Sequence, residues 1–337
     1  MTKPLKDRCR QLLTELGMLA TGDALEVLPL SGGVASDIAR VRLNDRSLCV
    51  KFALPKLKVQ ADWFAPVHRN AAEYAWLELV SQLAPENAVT LYGRSQALNG
   101  FVMEYLSGDD VYLWKSALLD EIPARHEAAS AGNLLGRIHA ASAQSQFDTR
   151  SFRNYDDFYA LRVEPYLLHT AEQHKKIARP IQQIASQLMG SRQVLLHGDV
   201  SPKNILIRSS GIVLLDAECA TMGDASFDPS FCLTHLVLKA LHLPRMRSNH
   251  LAQAQALWQA YRELITWESP NETESRICRL VPVLMLARVD GKSPVEYLSS
   301  SEQDLVRQLA INFIETPAEH VNELLQGIEQ GSTENLA

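Results

Sequence analysis

The sequence predicts an α+β protein with two lobes, a small one built on an antiparallel five-stranded sheet with one helix and a larger one that is mainly helical. Short apolar runs separated by Gly, Asn, Asp and Ser dominate the first part of the chain, and helical periodicity dominates the rest. A chain of 337 residues is also long for one domain. We therefore predict an N-terminal lobe at 1–106, a C-terminal lobe at 107–330 and a disordered tail at 331–337.

The N-terminal lobe is predicted to hold five strands, with the helix inserted after the third. An apolar stripe at helical spacing marks this helix at 69–83. The strands are expected at 25–30, 38–43, 48–53, 89–92 and 100–105. A short amphipathic helix at 5–17 precedes the sheet.

The C-terminal lobe is predicted to be helical except around residues 194–216, which read VLLHGDVSPKNILIRSSGIVLLD and are called the central segment below. Helices are expected at 126–141, 155–175, 178–189, 230–241, 249–266, 272–287 and 302–327. Strands are expected only at 194–196, 205–208 and 213–215. The polar loop of the central segment is therefore predicted to lie at the top of the helical lobe, facing the sheet.

The overall composition argues against several classes of function. A formal net charge of −6 disfavours a nucleic-acid partner, which would require clustered Lys and Arg. No apolar run approaches the ~18 residues of a membrane span, and the N-terminus lacks the apolar region of a secretory leader. Five scattered cysteines are typical of reduced thiols. We therefore expect a cytoplasmic protein without a membrane or nucleic-acid partner, and a homodimer is compatible with the sequence.

In the central segment, three polar residues have the order and spacing that phosphoryl transfer requires. A loop aspartate that orients or deprotonates the acceptor hydroxyl is followed by a magnesium-binding asparagine and by an aspartate that holds metal over the phosphates. Asp199 is the expected catalytic base, and Asn204 and Asp216 are the expected metal ligands. Glu218 is predicted to add a carboxylate to the metal or to its bound water. His197 is expected to support the loop by hydrogen bonding.

Other carboxylates near these residues are predicted to be structural. Asp224 and Asp228 are expected to cap turns or the following helix and are left outside the site. For Glu218 the alternative is a surface charge.

Lys51 lies in the apolar strand LCVKFA, where a lysine is costly unless its ammonium finds a partner. Kinases pair such a lysine with the ATP phosphates and with a glutamate on the next helix. Glu73 is the better candidate for that glutamate, and Glu78 is also compatible with the spacing. Gly32 and Gly33, in the turn before the second strand, are predicted to let backbone N–H groups approach the phosphates.

The apolar strand at 101–106 is predicted to form a wall of the adenine pocket. Met103, Glu104 and Leu106 stand where the chain passes between the lobes, and backbone groups there would hydrogen-bond to adenine. The sequence therefore predicts ATP and Mg²⁺ as cofactors. The remaining reactant is a small molecule that carries a hydroxyl group.

Gly198 stands where protein kinases have an arginine, and with it HGDVSPKN resembles the aminoglycoside phosphotransferase and choline kinase superfamily. This resemblance implies a protein-kinase-like fold and an ATP-dependent small-molecule kinase. No DFG or APE motif follows Asp216, so a serine/threonine protein kinase is the poorer interpretation.

The segment at 49–73, CVKFALPKLKVQADWFAPVHRNAAE, resembles 5-methylthioribose kinases through its ALP stretch, its insertion ending in tryptophan and its arginine before the helical glutamate. The D-x-E at 216–218 and MLARVDGKSPVEYL near the C-terminus resemble the same family. These likenesses imply that Trp63 lies near the nucleotide and the acceptor. They also imply that Arg288 contacts a methylthioribose-like sugar or a related polyol.

Two positions depart from the methylthioribose kinases, which have two adjacent arginines where this chain has Ala287-Arg288 and a serine where it has Asn204. The departures leave ATP chemistry intact and leave the acceptor open. An alternative for Arg288 is a solvated, salt-bridged turn with Asp290 and Lys292.

Two other functions are alternatives. An aminoglycoside-type antibiotic phosphotransferase should line its cleft with carboxylates to meet a polycation, whereas the C-terminal half of this chain places an arginine there. A nucleotide-binding pseudokinase or regulatory protein would be favoured by the loss of Lys51, Asp199 or Asp216, and all three are present.

Overall fold

An antiparallel sheet of five strands forms the N-terminal part of the protein. The structure, a computed structural model, describes residues 3–20, 22–30, 36–56 and 66–334. The strands of this sheet are β1 (Glu26–Pro29), β2 (Ser36–Leu43), β3 (Arg46–Ala53), β4 (Leu91–Ser95) and β5 (Gly100–Glu104). They lie in the order β1-β2-β3-β5-β4, which confirms the predicted five-stranded antiparallel lobe.

Helices cover both faces of this sheet. α1 (Leu5–Glu15) packs on the face that carries Val50, and α2 (Arg69–Leu83) packs on the face that carries Cys49. Side chains alternate along a strand, so Lys51 shares the face covered by α2. Lys51 is only 2% exposed there. Its ammonium group must therefore find a partner beneath α2.

The larger part of the protein is helical and contains the remaining strands in two small sheets. Its helices are α3 (Trp114–Leu119), α4 (Glu127–Ser142), α5 (Tyr155–Phe158), α6 (His169–Gln173), α7 (Ala178–Gly190), α8 (Phe227–His242), α9 (Arg247–Arg262), α10 (Pro270–Asp290), α11 (Ser300–Glu315) and α12 (Val321–Glu334). Its strands are β6 (Tyr112–Leu113), β7 (Val194–Leu196), β8 (Ile205–Arg208), β9 (Gly211–Leu214) and β10 (Thr221–Gly223). β8 pairs with β6 and β9, and β7 pairs with β10, all antiparallel. The predicted mainly helical second part is confirmed.

Two of the predicted helices are interrupted. Residues 155–175 form α5, a π-helix at Tyr159–Leu168 and α6 instead of one α-helix. Pro165 lies inside the π-helix, and a proline has no N–H to give to an α-helical ladder. Residues 302–327 form two helices because a proline follows Thr316 and disfavours helical backbone at that residue. Thr316 accordingly has φ −131° and ψ 82°.

Other differences lie in short elements and at the C-terminus. β6, α3 and β10 contain 2, 6 and 3 residues and are too short to produce a periodic pattern. α12 continues through Glu334, so residues 331–334 are helical where the sequence predicts a disordered tail. Ser332 is fully buried. A Cβ at Gly331 would lie 2.7 Å from Leu309 of α11, so close helix packing orders this polar stretch.

A continuous apolar core joins the inner face of the sheet to the helical part. Trp76 of α2, Leu135 of α4 and Leu214 of β9 belong to the same buried cluster. Trp76 also packs edge-on against His197, with the ring centroids 4.8 Å apart. The core therefore reaches the polar loop of the central segment. Among the described residues, no helix is long and apolar enough to cross a membrane.

Candidate active site

The loop between β7 and β8 carries Asp199 and takes its shape from the glycine before it. Gly198 has φ +79°, a left-handed conformation that other residues rarely adopt. A Cβ atom on Gly198 would lie 2.7 Å from Cβ of Cys219 and 2.9 Å from its carbonyl oxygen. The loop therefore cannot hold the arginine that protein kinases have here, and it packs directly on the segment after Asp216.

Asp228, in the first turn of α8, holds the same loop from behind. Its carboxylate accepts hydrogen bonds from the backbone N–H groups of His197, at 2.6 Å, and Gly198, at 2.9 Å. The His197 ring accepts the N–H of Asp199 at Nδ1 (3.2 Å), and its Nε2 lies 3.1 Å from the carbonyl oxygen of Leu215. Burial lowers the pKa of His197. The neutral ring therefore ties the loop to the end of β9.

Two cations flank Asp199, which is 4% exposed. Nη2 of Arg162 lies 3.0 Å from its Oδ2, and Nζ of Lys203 lies 3.3 Å from the same oxygen. Burial alone would raise the pKa of Asp199, but Lys203 and Arg162 outweigh burial and hold it below its usual range. Asp199 is therefore ionised at neutral pH and can accept a hydrogen bond from a hydroxyl group.

Asn204 and Asp216 adjoin this loop and present oxygen atoms. Nδ2 of Asn204 donates to the carbonyl oxygen of Asp199 at 3.0 Å, which leaves the amide oxygen as its acceptor. Asp216 has φ +71°, a left-handed backbone that costs roughly 1–3 kcal/mol in a non-glycine residue and concentrates at functional sites. Its side chain is 30% exposed. No cluster of three His, Cys, Asp or Glu side chains with metal-binding geometry occurs in the described ranges. The two oxygen donors fit a magnesium ion that completes its shell with phosphate and water.

Lys51 joins the sheet to the central segment. Its Nζ lies 2.8 Å from Oε1 and 2.7 Å from Oε2 of Glu73, and it also contacts Oδ1 of Asp216. Burial alone would lower the pKa of Lys51, but Asp216 and Glu73 outweigh burial and raise it. The preferred partner in the sequence prediction, Glu73, is the one observed, and Glu78 is exposed.

Glu218 is buried and paired with an arginine. Nε of Arg69 lies 2.8 Å from its Oε2. Arg69 is itself held by the carbonyl oxygens of Pro66, at 2.7 Å, and Leu54, at 2.8 Å. Burial, and then the charge of Asp216, raise the pKa of Glu218. Glu218 is therefore no surface charge, and one of its two oxygens is engaged by Arg69.

Arg288 lies half-buried near the C-terminal end of α10. Its Nη1 donates to Oη of Tyr166 at 3.2 Å, to Oγ of Ser293 at 3.0 Å and to the Ser293 backbone oxygen. Asp290 and Lys292 pair with residues of α11 and the π-helix instead. The arginine therefore faces the π-helix and is not part of a salt-bridged turn.

The chain after β5 passes from the sheet to the helical part at the position predicted for adenine. Met103 is buried, and the backbone N–H of Glu104 donates to the carbonyl oxygen of Thr90 at 2.8 Å. Leu106 packs half-buried against the core. Three further predicted site residues, Gly32, Gly33 and Trp63, lie outside the described residues.

Three residues that contact Asp199 or the backbone of its loop are not among those the sequence predicts for the site. Arg162 has a recognisable signal, because it is a lone cation in the apolar run ALRVEPYLL, like the lysine of β3. Lys203 lies within the motif itself but has no specific pattern. Asp228 is predicted as a cap and instead binds the loop, a contact that only the tertiary fold creates. Asp224 caps a turn as predicted, accepting the backbone N–H two residues on at 2.9 Å.

A sheet lobe facing a helical lobe, with a lysine–glutamate pair on one side and a loop aspartate on the other, defines a protein-kinase-like fold. This chain belongs to the phosphotransferase enzyme family, whose model matches residues 26–267. The methylthioribose kinase of Bacillus thuringiensis (strain Al Hakam) is 25% identical over 227 residues, covering 59% of this chain and 56% of the relative. The chain thus spans little more than half the length of the curated relatives it matches.

Solved structures share the fold over most of the chain. A choline/ethanolamine kinase family protein from Mesorhizobium loti matches with a TM-score of 0.55 and 16% identity, over 96% of this chain and 98% of its own. The amicoumacin kinase hAmiN matches with a TM-score of 0.53 and 15% identity, over 86% and 89%. At these identities the likeness concerns the fold alone.

Proposed function

We propose that this protein is an ATP- and magnesium-dependent kinase that transfers the γ-phosphate of ATP to a hydroxyl group of a small metabolite. The observation that carries the proposal is the contact of Lys51 with both Glu73 and Asp216, because it joins a phosphate-binding cation to a metal-binding carboxylate. Membership of the phosphotransferase enzyme family supports it. The amicoumacin kinase structure contains AMP-PNP and Ca²⁺, which supports a nucleotide with a divalent cation.

The nucleotide would lie between the sheet and the central segment. Lys51, oriented by the glutamate of α2, would bind its phosphates. The chain after β5 would hydrogen-bond to adenine through its backbone. The residues that we assign to ATP are Gly32, Gly33, Lys51, Glu73, Met103, Glu104 and Leu106.

Asn204 and Asp216 would hold the magnesium ion, because carboxylate and amide oxygens are its preferred protein ligands. When bound, magnesium neutralises charge on the phosphate oxygens. Glu218 is the candidate third ligand through the carboxylate oxygen that Arg69 does not engage. His197 would keep the loop in place and touch neither reactant.

Asp199 would bind the acceptor hydroxyl and receive its proton. The hydroxyl oxygen forms a bond to the γ-phosphorus, the bond from that phosphorus to the β,γ-bridging oxygen breaks, and ADP leaves. The transition state of such transfers is loose, so positioning matters more than the strength of the base. A carboxylate whose pKa is lowered by Lys203 and Arg162 suits this role.

The acceptor class that we propose is a methylthioribose-like sugar or a related polyol in contact with Arg288 and Trp63. An aminoglycoside antibiotic is the alternative acceptor. The cations beside Asp199 disfavour it, because Arg162 and Lys203 would repel a polycation.

The test is ADP release with magnesium-ATP across methylthioribose, pentoses, sugar acids, amino alcohols and aminoglycosides. We expect turnover that depends on one acceptor class and that falls by roughly 10²–10⁴-fold in Asp199→Asn. Asp156→Asn, at an exposed position of α5, is the matched control and should retain full activity. Thermal stabilisation by AMP-PNP without turnover on any acceptor would favour a nucleotide-binding regulatory protein.

A further inference from the structure

Of three polar groups between α8, α10 and the segment that follows α10, two have no hydrogen-bond partner among the described residues and the third has only a long one. Nε of Arg288 and Oη of Tyr297 are buried and have no hydrogen-bond partner within the part of the chain that the structure describes. Lys239 is 1% exposed, and its hydrogen bond is a long one, 3.5 Å to the backbone oxygen of His235 in its own helix. A buried donor without a partner costs about 1–3 kcal/mol, and more if it is charged. All three groups can donate, so the chemistry that satisfies them together is an anion.

The charge of Arg288 acts on the pKa of both Lys239 and Tyr297, which places the three groups close together. Nζ of Lys239 lies 5.2 Å from the centre of the Tyr297 ring. Arg288 donates to Oη of Tyr166, and the guanidinium carbon of Arg162, which pairs with the catalytic aspartate, lies 5.9 Å from the Tyr166 ring. The cluster of Arg288, Lys239 and Tyr297, called the anion cluster below, is thus linked to Asp199 through two side chains, Tyr166 and Arg162.

Positive charge is in excess around the anion cluster. Burial lowers the pKa of Lys239 to about 7, and the charges of Lys115 and Arg288 act in the same direction. Two carboxylates, Glu296 and Glu302, oppose them. Glu296 is 67% exposed and pairs with Lys115, and Glu302 pairs with His242, so each is engaged outside the cluster. His235 adds no charge, since burial and the neighbouring cations lower its pKa well below the usual range. An anionic ligand would relieve this repulsion.

We propose that, within the class of sugar-like and polyol-like acceptors, the acceptor is an acid derivative whose carboxylate binds the anion cluster while its hydroxyl group faces Asp199. This inference rests on the proposed kinase function. Arg288 selects a carboxylate because its Nη1 is engaged by Tyr166 and Ser293, which leaves the edge formed by Nε and Nη2. That edge matches the two oxygens of a carboxylate. Lys239 and the Tyr297 hydroxyl donate to the same group, and a cationic acceptor is repelled.

The experiment compares matched pairs of an acid and its neutral counterpart, gluconate with glucitol and ribonate with ribitol. Each is titrated in a thermal-shift assay with saturating AMP-PNP and magnesium, and each is then assayed as acceptor with ATP. We expect the acid of at least one pair to stabilise the protein and to have a KM roughly 10- to 100-fold below that of its neutral partner. Arg288→Met should abolish this preference, and Arg179→Met, at an exposed position of α7, should retain it. If Arg288→Met fails to fold, Lys239→Met provides the same test.

Several outcomes would overturn the proposal. They are equal stabilisation by both members of every pair, a preference for choline or kanamycin, and stabilisation by an acid that is never phosphorylated. AMP-PNP binding without acceptor is measured separately in wild type and Lys51→Met. If AMP-PNP binding depends on Lys51 but no acid is preferred over its neutral counterpart, the acidic acceptor is excluded and the kinase function is retained. If the wild-type protein does not bind AMP-PNP, the kinase function is excluded as well.

Discussion

Arg162 and Asp199 form a buried ion pair, with Nη2 of the arginine 3.0 Å from Oδ2 of the aspartate. Nε of Arg162 also donates to the carbonyl oxygen of Gly198. One guanidinium group therefore fixes both the backbone of the loop and the side chain of Asp199. The arginine comes from the π-helix at Tyr159–Leu168, so an element outside the motif sets the orientation of Asp199.

Arg162→Lys should lower kcat by roughly 10- to 100-fold while the affinity for AMP-PNP changes little. Lysine keeps the positive charge but loses the planar fork that holds Asp199 and Gly198 together. Within the described ranges, Arg162 forms no hydrogen bond or ion pair with Lys51 or Glu73. Steady-state kinetics and AMP-PNP titration check this, with Arg179→Lys as the control. Equal losses of kcat and AMP-PNP affinity would show that Arg162 supports the whole site and not Asp199.

Asp228→Asn should destabilise the protein by roughly 1.5–3 kcal/mol, the usual contribution of a hydrogen bond to a charged group. The amide keeps one acceptor oxygen, so one of the N–H groups of His197 and Gly198 loses its partner. We expect kcat to fall as well, because both bonds position the loop. Urea unfolding followed by fluorescence measures the stability. Asp156→Asn is the control, and a comparable loss of stability in that variant would contradict the specific role of Asp228.

The sheet and the long helices could be predicted from the sequence because each is specified locally. β3, of 8 residues, carries a continuous apolar run interrupted by Lys51, and α2, of 15 residues, carries an apolar stripe. β10, with 3 residues, carries no such pattern and forms only because β7 supplies its hydrogen bonds. The π-helix could not be predicted either, because Pro165 indicates an interruption of the α-helix but not the winding that replaces it.

The residues of the candidate site also divide into those that the sequence predicts and those that it does not. Asp199, Asn204 and Asp216 lie in one contiguous motif, so their spacing is visible in the sequence. The anchors of that motif, Arg162 and Asp228, belong to distant helices, and nothing in their own neighbourhoods indicates the loop as their partner. Tertiary packing determines which residue pairs with a buried charge, so that pairing cannot be predicted from a single sequence.

Lys51→Met should raise the dissociation constant of magnesium-AMP-PNP by at least about tenfold, because it removes a buried cation from the phosphates. Glu73→Gln should have a smaller effect on affinity, since glutamine still accepts a hydrogen bond from Lys51. The two substitutions together should be no worse than Lys51→Met alone, because Glu73 acts through Lys51. Isothermal titration calorimetry measures all three variants. Additive losses in the double variant would mean that Glu73 contacts the nucleotide independently.

The Arg69–Glu218 pair permits a test of the metal role of Glu218. Arg69→Met should destabilise the protein by about 3–5 kcal/mol, because it leaves a buried carboxylate without its partner. Adding Glu218→Gln should recover part of that stability. If Glu218 is a metal ligand, the magnesium concentration for half-maximal activity rises in Glu218→Gln and stays high in the double variant. If the magnesium dependence returns to the wild-type value in the double variant, Glu218 serves only to pair with Arg69.

Lys239→Met should stabilise the protein while weakening the binding of an acidic acceptor. Burial lowers the pKa of Lys239 from 10.5 to about 7, so between these values the unfolded state binds more protons than the folded state. Wild-type stability therefore rises as pH increases through this window, and the cost of the buried ammonium is greatest at and below about pH 7. Methionine removes that cost, and we expect a gain of roughly 1–4 kcal/mol at neutral pH that shrinks towards pH 10. Urea unfolding of both proteins at about pH 6.5, 8 and 9.5 measures the difference. A gain that does not vary with pH, or a loss of stability at every pH, would show that Lys239 is satisfied in the folded protein and has no charge available for a ligand.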